Sequence, residues 1–298
     1  LRTAQSMMDE TMEKPILIGR PHVIDQRIER EGLSIVAGRD FEVVNPESDA
    51  RYREYWTTYY EIMKRRGVSP DVARATIRTN TTAIAATMVR RGEADSVICG
   101  TVGQYLWHLD TVAQILSTED LHPVGALSLL LLDKGPLFIA DPHVNAEPTG
   151  EQVAETLIAA ARHVRRFGIT PRIALCSSSQ FGNLDSLSGR IARQALAILD
   201  ERSLDFEYEG EMAPDAALNP RVMSLYPFSR LSGPANVLIM PGLQSANLSA
   251  KLLRELGGET TIGPLMIGSE KPVQIAPMTA IAPDVLTLAV LASAGVVG

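Results

Sequence analysis

The sequence predicts an open α/β fold with three layers, formed twice along the chain, and three observations support this. Short runs rich in valine, isoleucine and leucine alternate with longer segments of helical periodicity. These runs are nearly continuously apolar, as is typical of parallel strands covered on both faces. Small and polar residues directly follow several of them. The predicted class is therefore α/β, with two three-layer α/β/α domains and mainly parallel sheets.

Nine segments carry the strand pattern of a short apolar run bounded by turn-forming residues. In chain order they are PILIG (15–19), FEVVN (41–45), SVICG (96–100), GALSLLLL (125–132), LFIAD (137–141), RIALCS (172–177), FEYEG (206–210), NVLIMP (236–241) and PLMIG (264–268).

The clearest helix lies between the fifth and sixth strands. Thr149, with Gln152 three residues later, predicts a capped start, and Gly168 predicts its end. His163 is expected on the surface near the helix C-terminus, where a cation is favoured. Further helices are predicted around 50–66, 70–91, 185–202, 244–256 and 284–295.

Composition excludes several classes of function. A net charge of −7 and a pI near 5.4 give no overall attraction to nucleic acid or to an anionic membrane. The longest strongly apolar run, Val124 to Leu132, is far shorter than the roughly 20 residues that span a bilayer. Cys99 and Cys176 are expected to be buried, reduced thiols of a cytoplasmic protein. No metal spacing links the histidines or the cysteines, so no metal site is predicted.

The first residues, LRTAQSMMDETMEKPILIG, have the pattern of a helix that leads directly into a strand. A domain of this class normally begins with a strand before that helix. We therefore expect the chain to be a piece of a longer polypeptide that lacks its first strand.

Open parallel sheets bind ligands beyond the carboxyl ends of their strands, and two segments there are candidates. Ser177, Ser178 and Ser179 follow one strand and precede a helix, so they form either a phosphate-binding turn or a polar turn that caps the helix. His143 follows another strand and is either a ligand contact or a structural histidine. Nucleotide phosphate loops and the nucleophile elbow GxSxG are absent from the sequence.

Five further motifs stand out along the chain: ADPHVNAEPTGEQVAE, FGITPRIALCSSSQFG, GEMAPDAAL, ANVLIMPGLQSANLSAKLL and IGPLMIGSEKPV. In order and spacing they resemble those of the phosphate acetyl/butyryl transferases. A sixth stretch, ICGTVGQYLWHLD (98–110), resembles more closely the C-terminal phosphotransacetylase-like domain of bacterial NADP-dependent malic enzymes.

The resemblance implies the phosphotransacetylase architecture, which is similar to that of the isocitrate and isopropylmalate dehydrogenases. The first domain would comprise residues 1–123 and 265–298, and the second residues 124–264. The resemblance further implies a ligand cleft between the domains and a homodimer, with a higher oligomer in the full-length protein.

Transferase chemistry requires a base for the coenzyme A thiol and cationic groups that hold acetyl phosphate. The resemblance implies an aspartate, a serine–arginine pair and a further arginine. Here KPVQIAPMTAIAPDV (271–285) keeps the aspartate as Asp284 but has Pro277 and Met278 where the family has serine and arginine. Ala113 stands where the family has another arginine. The chain is therefore predicted to be inactive as a transferase, and Asp284 is expected to stabilise the start of the last helix.

The resulting interpretation is a regulatory domain that binds acetyl-CoA as an allosteric effector and carries no cofactor of its own. The resemblance implies an N-terminal region outside this sequence that oxidises malate to pyruvate and CO₂ with NADP and Mg²⁺ or Mn²⁺. The alternatives are an active phosphate acetyl- or butyryltransferase, a dimerisation scaffold without a ligand, and a dehydrogenase of related architecture. The expected acyl-CoA contacts are Ser177, Ser179, Asn236, Gln244, Asn247, Gly263, His143 and Asn145.

Overall fold

The computed structural model of the chain describes residues 1–10, 14–117, 125–141, 143–257, 260–269 and 271–294. The chain divides into two compact units, Leu1–His122 with Ser269–Gly298, and Pro123–Gly268. The sequence-based boundary at 264/265 falls inside a strand that is hydrogen-bonded into the second unit's sheet, and the chain returns to the first unit only at Ser269.

In chain order, the described residues form α1 (Arg2–Glu10), β1 (Ile16–Ile18), α2 (Pro21–Glu31), β2 (Glu42–Val44), α3 (Tyr52–Met63), α4 (Pro70–Thr79), α5 (Thr81–Arg90), β3 (Val97–Gly100), α6 (Tyr105–Leu116), β4 (Gly125–Leu132), β5 (Gly135–Ala140), α7 (Gly150–Arg165), β6 (Arg172–Cys176), α8 (Leu187–Asp200), β7 (Glu207–Met212), α9 (Pro214–Leu218), α10 (Pro220–Met223), β8 (Val237–Ile239), α11 (Leu243–Gly257), β9 (Thr261–Ile267), β10 (Val273–Ala276) and α12 (Ala282–Ala294).

The second unit is built on a six-stranded sheet with the order β7-β6-β8-β5-β4-β9. Strands β7, β6, β8 and β5 are parallel, whereas β4 runs antiparallel to both β5 and β9. The apolar run of β4 therefore reflects burial on both faces of the strand, and it does not indicate that the strand is parallel to its neighbours. The predicted class, mixed α/β with mainly parallel sheets, is confirmed.

Both faces of this sheet are covered, because successive side chains of a strand point to opposite sides. On one face, Ala174, Leu238 and Ile139 pack in a cluster with Ala246 and Ala250 of α11. The intervening residues are equally buried, and on their face Phe138 contacts the ring of Phe167, just after α7. These contacts place helices on each side of the sheet and give the second unit three layers.

The first unit contains, within the residues described, two separate two-stranded parallel sheets. Strand β1 pairs with β2, and β3 pairs with β10, which lies far downstream in the sequence. Strand β10 was not predicted because Gln274, a buried polar residue, interrupts its apolar pattern. Helices α2 and α6 were also not predicted.

The long helix predicted around 70–91 is two helices that meet at Asn80. Ser69 caps α4 by accepting a hydrogen bond from the amide of Val72, and Asn80 caps α5 through the amide of Ala83. Asn80 has an extended backbone conformation, which ends the first helix while its side chain starts the second.

Helix α7 begins as predicted, with a capping box. The Gln152 amide donates to Thr149 Oγ1 at 3.2 Å, and the Thr149 amide donates to Gln152 Oε1 at 2.9 Å. The expectation for His163 was wrong, since its imidazole is half-buried beside Phe167. Burial, with a smaller contribution from Arg166, lowers the pKa of His163 to about 4, so the ring is neutral.

Both cysteines are free thiols, and burial raises the pKa of each to about 12. In the described part of the chain, no helix is both long enough and apolar enough to cross a bilayer.

Candidate functional site

The carboxyl ends of β5, β8 and β6 lie side by side, because these parallel strands are neighbours in the second unit's sheet. The segments that follow them are joined by backbone hydrogen bonds. The Met240 amide donates to Ala140 O at 2.7 Å, and the Leu243 amide donates to Asn145 O at 3.0 Å. The start of α11 is therefore held against the turn that contains His143 and Asn145.

Asp141 organises that turn. Its buried carboxylate accepts hydrogen bonds from the amides of Ala126 (2.9 Å), Val144 (3.2 Å) and Asn145 (2.8 Å), and from the Asn145 side chain (2.7 Å). Burial raises the pKa of Asp141, and the hydrogen bonds from Asn145, Ala126 and His143 oppose that shift. Asp141 thus fixes the backbone that presents His143 and Asn145.

Two titratable side chains, those of His143 and Lys251, lie at this edge. Burial, together with the nearby charge of Lys251, lowers the pKa of His143 to about 4, so the imidazole is neutral near pH 7. Gln244 is exposed in the first turn of α11, and Asn247 is half-buried one turn later. The edge therefore offers amide groups, a neutral imidazole and a lysine, which suit a polar, anionic ligand.

The three serines that follow β6 lie in a turn that is held by hydrogen bonds among its own residues and with the start of α8. Ser177 Oγ accepts the Ser179 amide at 3.1 Å and lies 3.0 Å from Ser188 Oγ, while Ser179 Oγ accepts the Leu184 amide at 3.3 Å. Both side chains are buried. The cap of α8 is Ser186, not a member of the run. The hydroxyls of Ser177 and Ser179 thus shape the turn, and Ser178 is the exposed serine of the three.

Sequence reasoning missed the group that supports this turn. Glu211 has no exposed surface, and its carboxylate accepts hydrogen bonds from Arg193 Nη1 at 2.6 and 2.7 Å and from the Gly182 amide at 3.2 Å. Its main-chain oxygen accepts the amide of Phe181 at 2.8 Å. The acids that alternate along β7 have the sequence pattern of a solvated strand, which conceals that Glu209 and Glu211 are both buried.

Two predicted contacts lie elsewhere. Asn236 precedes β8, at the amino end of the parallel strands, where it accepts the Arg172 amide at 2.8 Å and donates to Thr170 O at 2.9 Å. Gly263 lies within β9, with φ +126°, and a Cβ there would approach Leu127 O to 2.7 Å. Both residues maintain the sheet, and neither stands at the carboxyl edge with the other six.

In the first unit, β3 and β10 also end side by side, and the Thr101 amide donates to Ala276 O at 3.0 Å. Pro277 and the exposed Met278 follow β10 directly. The carboxylate of Asp284 accepts the amide of Ile281 at 2.9 Å, at the start of α12. Ala113 lies on α6, the helix that follows β3.

His108, also on α6, supports the loop after β3. Its Nδ1 lies 2.8 Å from Thr82 Oγ1, and its Nε2 lies 2.8 Å from Val102 O. With both nitrogens engaged and the ring buried, this histidine holds the loop in place.

The sequence matches the phosphate acetyl/butaryl transferase family over residues 1–293. It is 48% identical to the NADP-dependent malic enzyme of Escherichia coli (strain K12) over 92% of this chain and 37% of that protein. It is 44% identical to an NAD-dependent malic enzyme of Rhizobium meliloti (strain 1021), over 98% of this chain and 38% of that protein. The chain thus spans less than two fifths of the length of these curated relatives.

Among solved structures, the fold matches a phosphotransacetylase from Streptococcus pyogenes with a TM-score of 0.89. That match has 24% sequence identity and covers 99% of this chain and 90% of the other. The predicted phosphotransacetylase architecture is therefore confirmed. Because the family match extends over nearly the whole sequence, the chain belongs to the phosphate acetyl/butaryl transferase family.

Proposed function

We propose that this chain is the non-catalytic, regulatory and oligomerisation domain of a malic enzyme, and that it binds acetyl-CoA at the carboxyl edge of the second unit's sheet. The parent polypeptide would oxidise malate to pyruvate and CO₂ with NADP. The described residues include no group of three or more His, Cys, Asp or Glu side chains placed to hold a metal ion. The Mg²⁺ or Mn²⁺ of that reaction is proposed to bind in the N-terminal region of the parent polypeptide.

The observation that carries the loss of catalysis is the absence of positive charge where β3 and β10 end. The loops Gly100–Gln104 and Pro277–Ile281 contain neither lysine nor arginine. Asp284, the acid that the resemblance assigns as the base, is hydrogen-bonded to the Ile281 amide. Removing one donor that stabilises an oxyanion typically lowers the rate by about 10²–10³. The loss of two arginines and a serine at such positions supports an inactive site.

The polar groups of the second unit support the proposal that acetyl-CoA is the ligand. The neutral imidazole of His143, the amides of Asn145, Gln244 and Asn247, and the nearby charge of Lys251 form a polar edge whose backbone Asp141 fixes. Such an edge can bind the amide-rich pantetheine arm and an anionic phosphate of acetyl-CoA without any group that activates a thiol. We expect regulation if acetyl-CoA binds two arrangements of the full protein with different affinity.

The direct test is calorimetric titration of the chain with acetyl-CoA. We expect saturable heat, weakened at least tenfold by Gln244→Ala with Asn247→Ala. The matched control is Glu255→Gln, at the exposed far end of the same helix, which should leave the affinity unchanged. No heat at millimolar acetyl-CoA would favour a scaffold without a ligand.

The catalytic alternative has its own assay, the coenzyme A-dependent turnover of acetyl phosphate. We expect no turnover above background from the natural sequence. Restoring the family residues by Pro277→Ser, Met278→Arg and Ala113→Arg should give measurable activity, and adding Asp284→Asn should remove it again. Ordinary enzymatic turnover by the unmodified chain would instead identify an active transferase.

We also propose that α11 contributes to a dimer interface. Leu248, Leu252 and Leu256 follow one another at intervals of four residues and are exposed by 62%, 59% and 83%. An apolar stripe on a helix surface is typical of an interface. Leu252→Glu should halve the molar mass measured by light scattering, whereas Val72→Glu, at an exposed position of α4, should not.

A further inference from the structure

Three aromatic side chains of the second unit, Phe181, Tyr226 and Phe228, form one aromatic cluster. The ring centroid of Phe181 lies 5.1 Å from that of Tyr226 and 4.8 Å from that of Phe228, and the other two centroids are 6.1 Å apart. Phe181 and Tyr226 are half-buried and pack against the core of the unit. Phe228 is exposed by 63%, so a large part of its ring is open to solvent.

The ring of Phe181 is placed by an unusual backbone conformation. Phe181 has a φ of +50°, in the left-handed region that residues other than glycine rarely adopt, and Gly182 follows with a φ of +86°. The Phe181 amide donates to Glu211 O at 2.8 Å, and the Gly182 amide donates to Glu211 Oε1 at 3.2 Å. Because glycine would adopt this conformation without strain, the phenyl ring is what residue 181 adds to the turn. Residues strained in this way cluster at functional sites.

Tyr226 is fixed to the same turn. Its hydroxyl donates to Gln180 Oε1, and the amide of Gln180 donates to Asn183 Oδ1 at 2.9 Å. Two of the three rings are therefore held in position before any ligand binds, and they support the exposed ring of Phe228. A surface ordered in advance costs a ligand less free energy to occupy.

A guanidinium group lies beside this turn. A Cβ at Gly182 would lie 4.0 Å from Arg193 Nη1, and the Arg193 side chain is exposed by 42%. Within the described residues, the hydrogen bonds of Arg193 all use Nη1, which donates to both carboxylate oxygens of Glu211. A guanidinium carries five N–H donors, so Nε and Nη2 keep donors for an anion.

An aromatic surface next to an arginine is suited to a nucleotide. A purine base stacks on aromatic rings, and a guanidinium binds phosphate through paired hydrogen bonds. Ser178, exposed in the same turn, offers a hydroxyl to such a polar group. A purely apolar partner would cover the rings but leave the donors of Arg193 unpaired, so the combination favours a ligand that is both planar and anionic.

The aromatic cluster belongs to the sheet edge that the proposed acetyl-CoA site occupies. The turn that contains Phe181 follows β6, and only β8 separates β6 from β5. Neighbouring strands are about 4.8 Å apart, so the ends of β5 and β6 are about 10 Å apart. The extended pantetheine arm and diphosphate of coenzyme A are longer than this distance. One molecule can therefore contact the turn of His143 and Asn145 with its amides and the aromatic cluster with its adenine.

We propose that the aromatic cluster and Arg193 form a subsite for an adenosine phosphate, supplied by the nucleotide end of acetyl-CoA or by a free adenine nucleotide. Adenine would stack on Phe228, and a phosphate would accept hydrogen bonds from Nε and Nη2 of Arg193. The inference rests on the proposed function for the first of these sources and names the part of the ligand that binds after β6. The second source does not require that function.

The direct test is calorimetric titration of the chain with adenosine 3′,5′-bisphosphate, the nucleotide end of coenzyme A. We expect saturable binding, weakened at least about fivefold by Phe228→Ala, because the stacking of a base on an aromatic ring is lost. The matched control is Leu225→Ala, three residues earlier in the same loop and exposed by 69%, which should leave the affinity unchanged. No binding of the bisphosphate at millimolar concentration would overturn the proposal.

Arg193→Lys tests the phosphate contact. Lysine keeps a positive charge beside Glu211 but lacks the fork of donors that arginine presents to an anion. The affinity for the bisphosphate should fall by about tenfold, whereas the affinity for adenosine, which has no phosphate, should stay unchanged. An equal loss for both ligands would show that Arg193 acts only by supporting the turn, and it would overturn the phosphate assignment.

Competition distinguishes the two sources of the nucleotide. If acetyl-CoA is the source, it should displace the bisphosphate, and Phe228→Ala should weaken acetyl-CoA without affecting pantetheine. If ADP displaces the bisphosphate and acetyl-CoA does not bind, the subsite stands and the proposed function fails.

Two further results would overturn the subsite. The first is acetyl-CoA binding that Phe228→Ala does not weaken, together with no binding of the bisphosphate, which would leave the proposed function intact. The second is a lower molar mass of Phe228→Ala in light scattering, which would identify the aromatic cluster as a contact between copies of the chain.

Discussion

The two units share strand chemistry but differ in how deeply their parallel strands are buried. In the second unit, β8 is buried at every position, as is β6 except at its first residue. In the first unit, all three residues of β1 are half-buried, and three of the four residues of β3 are. Apolar sequence is therefore not sufficient for burial, because a parallel strand also needs a neighbour on each edge and helices on both faces.

The largest expected contrast comes from truncating one strand residue in each unit. Ile173, in β6, is fully buried, so Ile173→Ala should lower the free energy of unfolding by about 2–5 kcal/mol. Leu17→Ala, in the half-buried β1, should lower it by about 1 kcal/mol.

Urea titration can assign these effects, because both tryptophans, Trp56 and Trp107, belong to the first unit. Tryptophan fluorescence follows that unit, and far-ultraviolet circular dichroism follows both. Equal losses from the two substitutions would show that β1 is as well packed as β6.

Acid should weaken the second unit specifically. His143 and His163 belong to it, and burial lowers the pKa of each to about 4, against about 6.5 in the unfolded chain. Below pH 6.5 the unfolded state binds protons that the folded state does not, so stability is lost as the pH falls from 6.5 toward 4. Each histidine should contribute about 3 kcal/mol of that loss.

The test is to compare urea unfolding at pH 7 and pH 4.5. His163→Phe keeps a ring beside Phe167 and should flatten the pH dependence in part. An unchanged pH profile for this variant would show that His163 titrates normally in the folded protein.

The third prediction concerns the carboxylate that supports the serine turn. Arg193→Ala leaves the buried Glu211 without its cation and should lower the free energy of unfolding by about 3 kcal/mol. Arg190 lies on the same helix as Arg193 but pairs with the exposed Asp185, so Arg190→Ala should lower the free energy of unfolding by less than about 1 kcal/mol. Chemical denaturation of both variants gives the comparison, and equal effects would contradict a buried role for Glu211.

The smallest effect is expected at the start of α7. Thr149→Ala removes one half of the capping box and should lower the free energy of unfolding by about 1 kcal/mol. Thr149→Ser keeps the hydroxyl and should restore most of that stability in the same titration. A deficit as large for serine as for alanine would indicate that the threonine methyl group, not the cap, contributes the stability.

The fold was largely predictable because most strands of the second unit are apolar and its helices are capped by recognisable residues such as Thr149. Where the pattern misled, a single polar residue was responsible. Gln274 is buried in β10, and Asn80 divides a continuous helical pattern because its side chain caps the second helix. Neither effect is visible in residue periodicity.

The candidate site was predicted less well. His143, Asn145, Gln244 and Asn247 follow strands that end at one edge of the sheet, and their contact with a ligand stays a prediction. Asn236 opens the strand predicted at 236–241, and the structure places it at the amino end of the parallel strands, away from the edge where ligand contacts were expected. Buried charges such as Glu211 are recognised only through their partners, and Arg193 is distant from Glu211 in the sequence.

The second unit begins and ends on adjacent strands, since Gly125 of β4 pairs with Ile267 of β9. If the second unit were unfolded, pairing of Val97 with Val273 would close a loop of well over a hundred residues. The entropic cost of closing a loop rises with the logarithm of its length. Once the second unit has folded, its two ends are already close, and the loop shrinks to a short one. The order of folding should therefore be inside out, with the inserted unit forming first and drawing the halves of the first unit together.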